Sequence, residues 1–177
     1  MGDYLGAWKD LEKAYAAKKV RAIGICNVDY FPEQLEKFVS AVTMKPQIIQ
    51  IECHPYQQQF GVREVAKKYD IKVECWYPFG GRPSKGVLFR DPVITAIAAS
   101  HKKSAAQIIL RFQIQEGLAT LPSSTSAEHI LSNLSVFDFS LSEDEIKQLR
   151  ALDKNEKFYT VPYETGCAEY PKYVPAE

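Results

Sequence analysis

The chain has 177 residues, 46% hydrophobic and 25% charged, the composition of an ordinary globular domain with room for a sizeable core. Lysine plus arginine and aspartate plus glutamate each number 22, so net charge offers a polyanionic partner no hold. No apolar run approaches the roughly 20 residues of a membrane span, and no signal-peptide pattern opens the chain, so a cytoplasmic protein is expected.

In chain order, Leu5, Trp8, Leu11 and Tyr15 recur at spacings that predict an apolar helical face. A short strand is predicted at Arg21–Ile25, ending at the small polar pair Cys26 and Asn27. "FPEQLEKFVSAV" reads as a helix, Ile48–Glu52 as a strand, "GVREVAKKYD" as a helix and Lys72–Cys75 as a strand running into the breaker-rich "YPFGGRPSKG". "DPVITAIAASH" follows. "SAAQIILRFQIQEG" is helical, with Ser104 as its N-cap and Gly117 at its end. Ala119–Leu121 is the last strand, followed by "SAEHILSNL" and by "LSEDEIKQLRALD", where Ser142 and Glu145 have capping-box spacing. A tyrosine- and proline-rich tail, 155–177, closes the chain and leaves residues 1–154 as the domain.

Strand and helix alternate, which predicts a parallel α/β fold. The strands read as short, apolar and unalternating, as if buried on both faces. Ligands of such folds bind at the carboxyl ends of the strands, so "CN", "ECHP", "YPFGG" and "PSST" are expected to converge there. Neither usual phosphate fingerprint, G-x-G-x-x-G or the P-loop, is present. The four cysteines, Cys26, Cys53, Cys75 and Cys167, form no C-x-x-C pair and read as small buried hydrophobes, with no metal site.

"AWKDLEKAYAAKKVRAIGICN", "PQIIQIECHPYQQQ", "VECWYPFGG", "SAAQIILRFQIQEGLATLPSST" and "EHILSNLSVFDFSLSEDEIKQL" closely resemble, in order, the aldo-keto reductases. That family has a (β/α)8 barrel of the TIM type and reduces carbonyls with NADPH or NADH. The resemblance implies that this chain is the carboxyl-terminal half of the barrel, strands five to eight. By resemblance, Asn27 and Gln50 bind the nicotinamide carboxamide, and Cys26 stands where the family usually has a serine making a further contact. Tyr77 stacks on the nicotinamide ring, and Pro78, Phe79 and Gly80 approach the pyrophosphate. Ser124 and Thr125 line the adenosine phosphate site, and Asn133 reaches the adenine.

Two further positions depart from the family. Ser123 stands for a lysine and His129 for an arginine, both of which meet the 2′-phosphate of NADPH, so use of NADH becomes credible. His54 matches a structural position and reads as a packed or hydrogen-bonded histidine. The catalytic Asp, Tyr, Lys and His of the family belong to the first four strands, and no motif here matches them, so the chain alone is expected to be inactive. The tail resembles the family's loop over the substrate. The competing reading is a non-catalytic nucleotide-binding module that self-associates or pairs with an amino-terminal half through its exposed strand edges.

Overall fold

The computed structural model describes residues 3–26 and 31–159. Four parallel strands, β1 (Gly24–Cys26), β2 (Ile48–Glu52), β3 (Lys72–Trp76) and β4 (Ala119–Thr120), lie side by side in chain order. Parallel neighbours cannot be joined by a tight turn, and helices make the crossovers. Helix α1 (Tyr4–Ala16) leads into β1, and α2 (Pro32–Ala41) and α3 (Phe60–Lys68) follow β1 and β2. A short 3-10 turn (Val87–Arg90), α4 (Pro92–His101) and α5 (Ala105–Gln115) separate β3 from β4. Helices α6 (Ala127–Leu134) and α7 (Glu143–Arg150) come last.

The first strand starts later than the apolar run suggests. The Gln47 side chain accepts from the Ile23 N–H at 2.7 Å, and the Gln47 N–H donates to the Ile23 carbonyl at 3.0 Å, so a side chain takes the ladder's place there. Pairing then begins at Gly24, where a Cβ would lie 2.6 Å from the Ile48 carbonyl oxygen. Only glycine allows β1 to lie so close to β2. Ser104 and Ser142 both close capping boxes, with Gln107 and Glu145 as partners.

The strands are not buried on both faces. Ile49, Ile51, Val73 and Cys75 are buried, whereas Ile48, Gln50, Glu74 and Trp76 between them keep contact with solvent and Lys72 is exposed. The burial has a period of two, as in a sheet covered on one side only. The covered face packs with Trp8, Leu35, Phe38, Val39, Val62 and Ala66 of α1, α2 and α3. There Cys53 and Cys75 are free thiols, and the bond to Cys53, then burial, pushes the Cys75 thiol well above its usual range, so it stays neutral. A second core joins Leu88, Ile94, Ile97, Ile108, Ile109 and Phe112 to Leu141, Ile146 and Leu149.

The packed unit continues into the segment expected as a tail. The N–H groups of Lys154 and Glu156 both donate to the Tyr56 carbonyl, at 3.0 and 3.1 Å, and Phe158 packs against the second core. Gln58 fastens the approach: its Nε2 donates to the carbonyls of Pro55, Leu149 and Arg150, at 2.8, 2.8 and 3.1 Å.

Candidate functional site

The site grows from the sheet register. Cys26 pairs with Gln50, Gln50 with Glu74 and Glu74 with Ala119, so these four residues form one row across the sheet. On the open face of that row, Gln50 Nε2 donates to Glu74 Oε2 at 3.1 Å. Two rows nearer the carboxyl ends, Glu52 pairs with Trp76. Alternation along β3 puts Trp76 on the face that carries Glu74. Asn27 lies outside the described residues, so of the carboxamide pair only Gln50 is placed, with Cys26 exposed at the tip of the neighbouring strand.

Tyr77 leaves β3 with a left-handed backbone, φ 53°. Its ring lies over Gly81, where a Cβ would come within 2.7 Å of the ring. It also meets the Trp76 ring, centroid to centroid 4.5 Å. Tyr159 stands edge-on to both, 5.2 Å from Trp76 and 6.2 Å from Tyr77. Pro78 is buried and Phe79 half-buried, and the Gly80 N–H closes a turn onto the Tyr77 carbonyl at 2.8 Å. The buried Ser84 hydroxyl donates to the Gly81 carbonyl at 2.8 Å and accepts from the Gly86 N–H at 3.2 Å, holding the glycine turn in place.

Glu52 anchors what arches over this end of the sheet. Its carboxylate is 1% exposed and accepts from His54 Nε2 at 3.2 Å, the Phe158 N–H at 2.8 Å and the Tyr159 N–H at 3.1 Å. The His54 ring stacks on Phe158 at 4.7 Å. His54 is therefore packed and hydrogen-bonded, as read from its position. Its Nδ1 has no hydrogen-bond partner among the described residues.

The loop after β4 carries the other candidates. Ser123 and Thr125 are exposed, and Ser124 Oγ accepts from the Ser126 N–H at 3.1 Å. Ser126 caps α6 by accepting from the His129 N–H at 3.4 Å. His129 and Asn133 are four apart on α6 and share one of its faces. No lysine or arginine lies in α6, and Glu128 occupies its first turn. β3 and β4 are neighbours, so this hydroxyl-rich loop and the Tyr77–Gly81 turn leave the same end of the sheet. No group of His, Cys, Asp and Glu that could hold a metal occurs among the described residues, and none of their helices is long and apolar enough to cross a membrane.

Reading the sequence singles out Tyr77, Pro78, Phe79 and Gly80 but misses Glu52, Glu74, Trp76 and Tyr159. The signal for Glu74 and Trp76 was the two-residue period of "KVECW", which puts both beside Gln50. No local signal marks Tyr159, whose tie to Glu52 spans 107 positions.

Comparison with known proteins agrees with this architecture. The family model described as "Aldo/keto reductase family" matches residues 2–154. The 9,11-endoperoxide prostaglandin H2 reductase of Trypanosoma cruzi is 38% identical over 87% of this chain and 53% of its own length. The glyoxal reductase of Bacillus subtilis is 37% identical over 87% of this chain and 54% of its own. Among solved structures, the apo form of Gox0644 superposes with a TM-score of 0.81 at 32% identity, over 91% of this chain and 57% of that one. A substituted form of Gox0644 in complex with NADPH gives 0.75 at 34% identity, over 82% and 52%. This chain thus spans about half the length of the curated relatives it matches. With the family's model matched along nearly the whole described fold and the same parallel α/β architecture in solved members, the chain belongs to the aldo/keto reductase family.

Proposed function

We propose that this chain is the cofactor-binding, carboxyl-terminal half of an NAD(P)H-dependent carbonyl reductase, strands five to eight of a (β/α)8 barrel. The observation that carries the reading is the meeting, at one end of the sheet, of the Gln50 amide, the Trp76–Tyr77 aromatic pair and the glycine turn. A nicotinamide dinucleotide fits these groups. Gln50 keeps its Oε1 and one N–H for a carboxamide, with Cys26 on the neighbouring strand in register with it; the part read for Asn27 rests on the family resemblance alone. Trp76, on the Gln50 face, offers its ring as the stacking surface, and Tyr77 backs it. The turn at Pro78, Phe79 and Gly80 lets a pyrophosphate approach backbone closely, and Ser123, Ser124, Thr125, His129 and Asn133 border the adenosine end. When bound, the cofactor supplies a hydride to the carbonyl carbon of an aldehyde or ketone. This chain's part is to orient the nicotinamide and, through Tyr159, to shield that end of the sheet from water.

In this reading the proton donor and its tuning partners belong to strands one to four of the barrel, so the purified 177-residue chain is expected to bind dinucleotide without reducing simple aldehydes. Turnover above about 1 per second, within the ordinary enzyme range, would assign the chemistry to a residue of this half and overturn that expectation. Pairing with an amino-terminal half is favoured by the apolar side chains left open on and beside α6. Leu131, Leu134 and Phe137 are 66%, 65% and 71% exposed. The same surface supports the second reading, a self-associating, non-catalytic half-barrel, and the mass of the chain in solution separates the two.

At the adenosine end a 2′-phosphate meets hydroxyls and an imidazole in place of fixed cations. A phosphate favours the protonated form of a neighbouring histidine, so any preference for NADPH over NADH should be small at neutral pH and grow on acidification. Ser123→Lys should favour NADPH by about tenfold, one charge-assisted contact. Dissociation constants for both cofactors at several pH values check this. A strong preference in the native chain that ignores pH would place another cation, such as Arg82 or Lys85 of the glycine turn, at the phosphate.

A further inference from the structure

We infer that Glu74 is a positioning residue that sets which way the Gln50 amide faces. The inference rests on the reading of Gln50 as a carboxamide ligand. The two side chains stand in register on adjacent strands and on the same open face, 3.1 Å apart. An ionised carboxylate only accepts hydrogen bonds. The amide end turned towards Glu74 is therefore Nε2.

Among the described residues, nothing else claims either side chain. Lys72, the nearest cation along the same face of β3, is paired with Asp70 at 2.7 Å. Among the described residues, the Gln50 amide is the sole hydrogen-bond partner of the Glu74 carboxylate, and Gln50 Oε1 has no partner. Glu74 thereby leaves Gln50 with a fixed offer: an acceptor oxygen and one remaining N–H, facing away from β3. A carboxamide is the complementary group, since its NH2 donates to that oxygen. Were the amide free to turn over, an N–H would face the carboxamide NH2 for part of the time, and donor against donor loses the bond.

The test uses the purified chain, isothermal titration and three probes. NAD+ carries the carboxamide, 3-acetylpyridine adenine dinucleotide carries a methyl ketone that cannot donate, and ADP-ribose lacks the nicotinamide end. The native chain should bind NAD+ roughly threefold to tenfold more tightly than the acetylpyridine analogue, one neutral hydrogen bond. Glu74→Gln keeps the shape but can donate as well as accept, so the Gln50 amide loses its preferred sense. In that variant the ratio should fall below about twofold, with ADP-ribose binding unchanged. A ratio equal to the native one overturns the inference. So does an equal loss for all three probes, which would mean general loosening of the fold. A native chain that binds ADP-ribose but ignores the difference between the two dinucleotides removes Gln50 from the carboxamide, and the inference with it. A native chain that binds none of the three overturns the proposed function itself.

Discussion

Glu116→Ala is expected to lower the unfolding free energy by about 3 kcal/mol at neutral pH, the low end for breaking a buried ion pair. Glu116 follows α5, with its side chain 4% exposed, and it takes Arg63 of α3 at 2.7 Å and Arg150 of α7 at 2.7 Å. Arg150 is half open to water, with 49% of its side chain exposed, and this weakens its share. Arg63 is only 16% exposed and would be left with a charge and its contact to the Gln58 carbonyl, 3.4 Å away. Burial pushes the Glu116 carboxyl up, but the hydrogen bonds and charges of Arg150 and Arg63 outweigh it and hold the group below the usual range. A carboxyl depressed on folding adds stability above its unfolded pKa, about 4.3, and loses it as pH falls through the folded value. The native chain should therefore lose stability below about pH 4 more steeply than Glu116→Ala, and the two should converge in acid. Urea unfolding at pH 7 and pH 3 measures both effects. A loss under about 1 kcal/mol, or parallel pH curves, would show that the three helices do not depend on this carboxylate.

How much of this was legible can be seen strand by strand. The bounds of β2 stand where the apolar run puts them, because its ladder is made by its own backbone on both sides. The first strand was misplaced because a glutamine from another segment intercepts Ile23. The expectation of burial on both faces took its cue from "RAIGI" and "QIIQIE" as apolar runs. Gln50 inside "QIIQIE" and Glu74 inside "IKVECW" already interrupt the apolar residues, and they mark the open face. Tyr77 drew attention as the aromatic residue past the strand end, but its left-handed backbone carries its ring over Gly81, while Trp76 shares the face of Gln50.

The arch over the site was illegible for a different reason. Its anchor, Glu52, reads as the end of an apolar strand, and its guests, the N–H groups of Phe158 and Tyr159, belong to the backbone, which carries no sequence signal. A buried carboxylate must find donors, and backbone N–H groups from a distant segment serve as well as side chains. The loop at 123–125 was legible as a polar cluster after a strand. The apolar surface of α6 was legible as a helical face, but nothing local says what covers it.

Gly80→Ala tests whether that arch and the glycine turn act as one unit, and Gly117→Ala supplies the control. Both glycines have left-handed backbones, φ 75° at Gly80 and 77° at Gly117. At Gly117 a Cβ meets nothing within 4 Å, so the alanine variant should lose only the conformational cost, about 1 kcal/mol. At Gly80 the same atom would lie 2.6 Å from the Phe158 ring and 2.8 Å from the Ser84 Cβ. Ser84 is buried and cannot retreat, and Phe158 is held by its stack on His54 and by its N–H bond to Glu52. Strain and overpacking then add, for a loss of about 2–4 kcal/mol. The nearest relief is for Phe158 to lift, which withdraws Tyr159 from Trp76 and Tyr77. The variant should therefore show altered Trp76 fluorescence, with Trp8 on α1 unaffected, whereas Gly117→Ala should leave the spectrum as it is. Thermal unfolding and fluorescence of the two variants side by side measure this. Equal losses with unchanged spectra would mean that the turn and the arch are independent, and that Glu52 holds the 158–159 segment without help from the glycine beneath it.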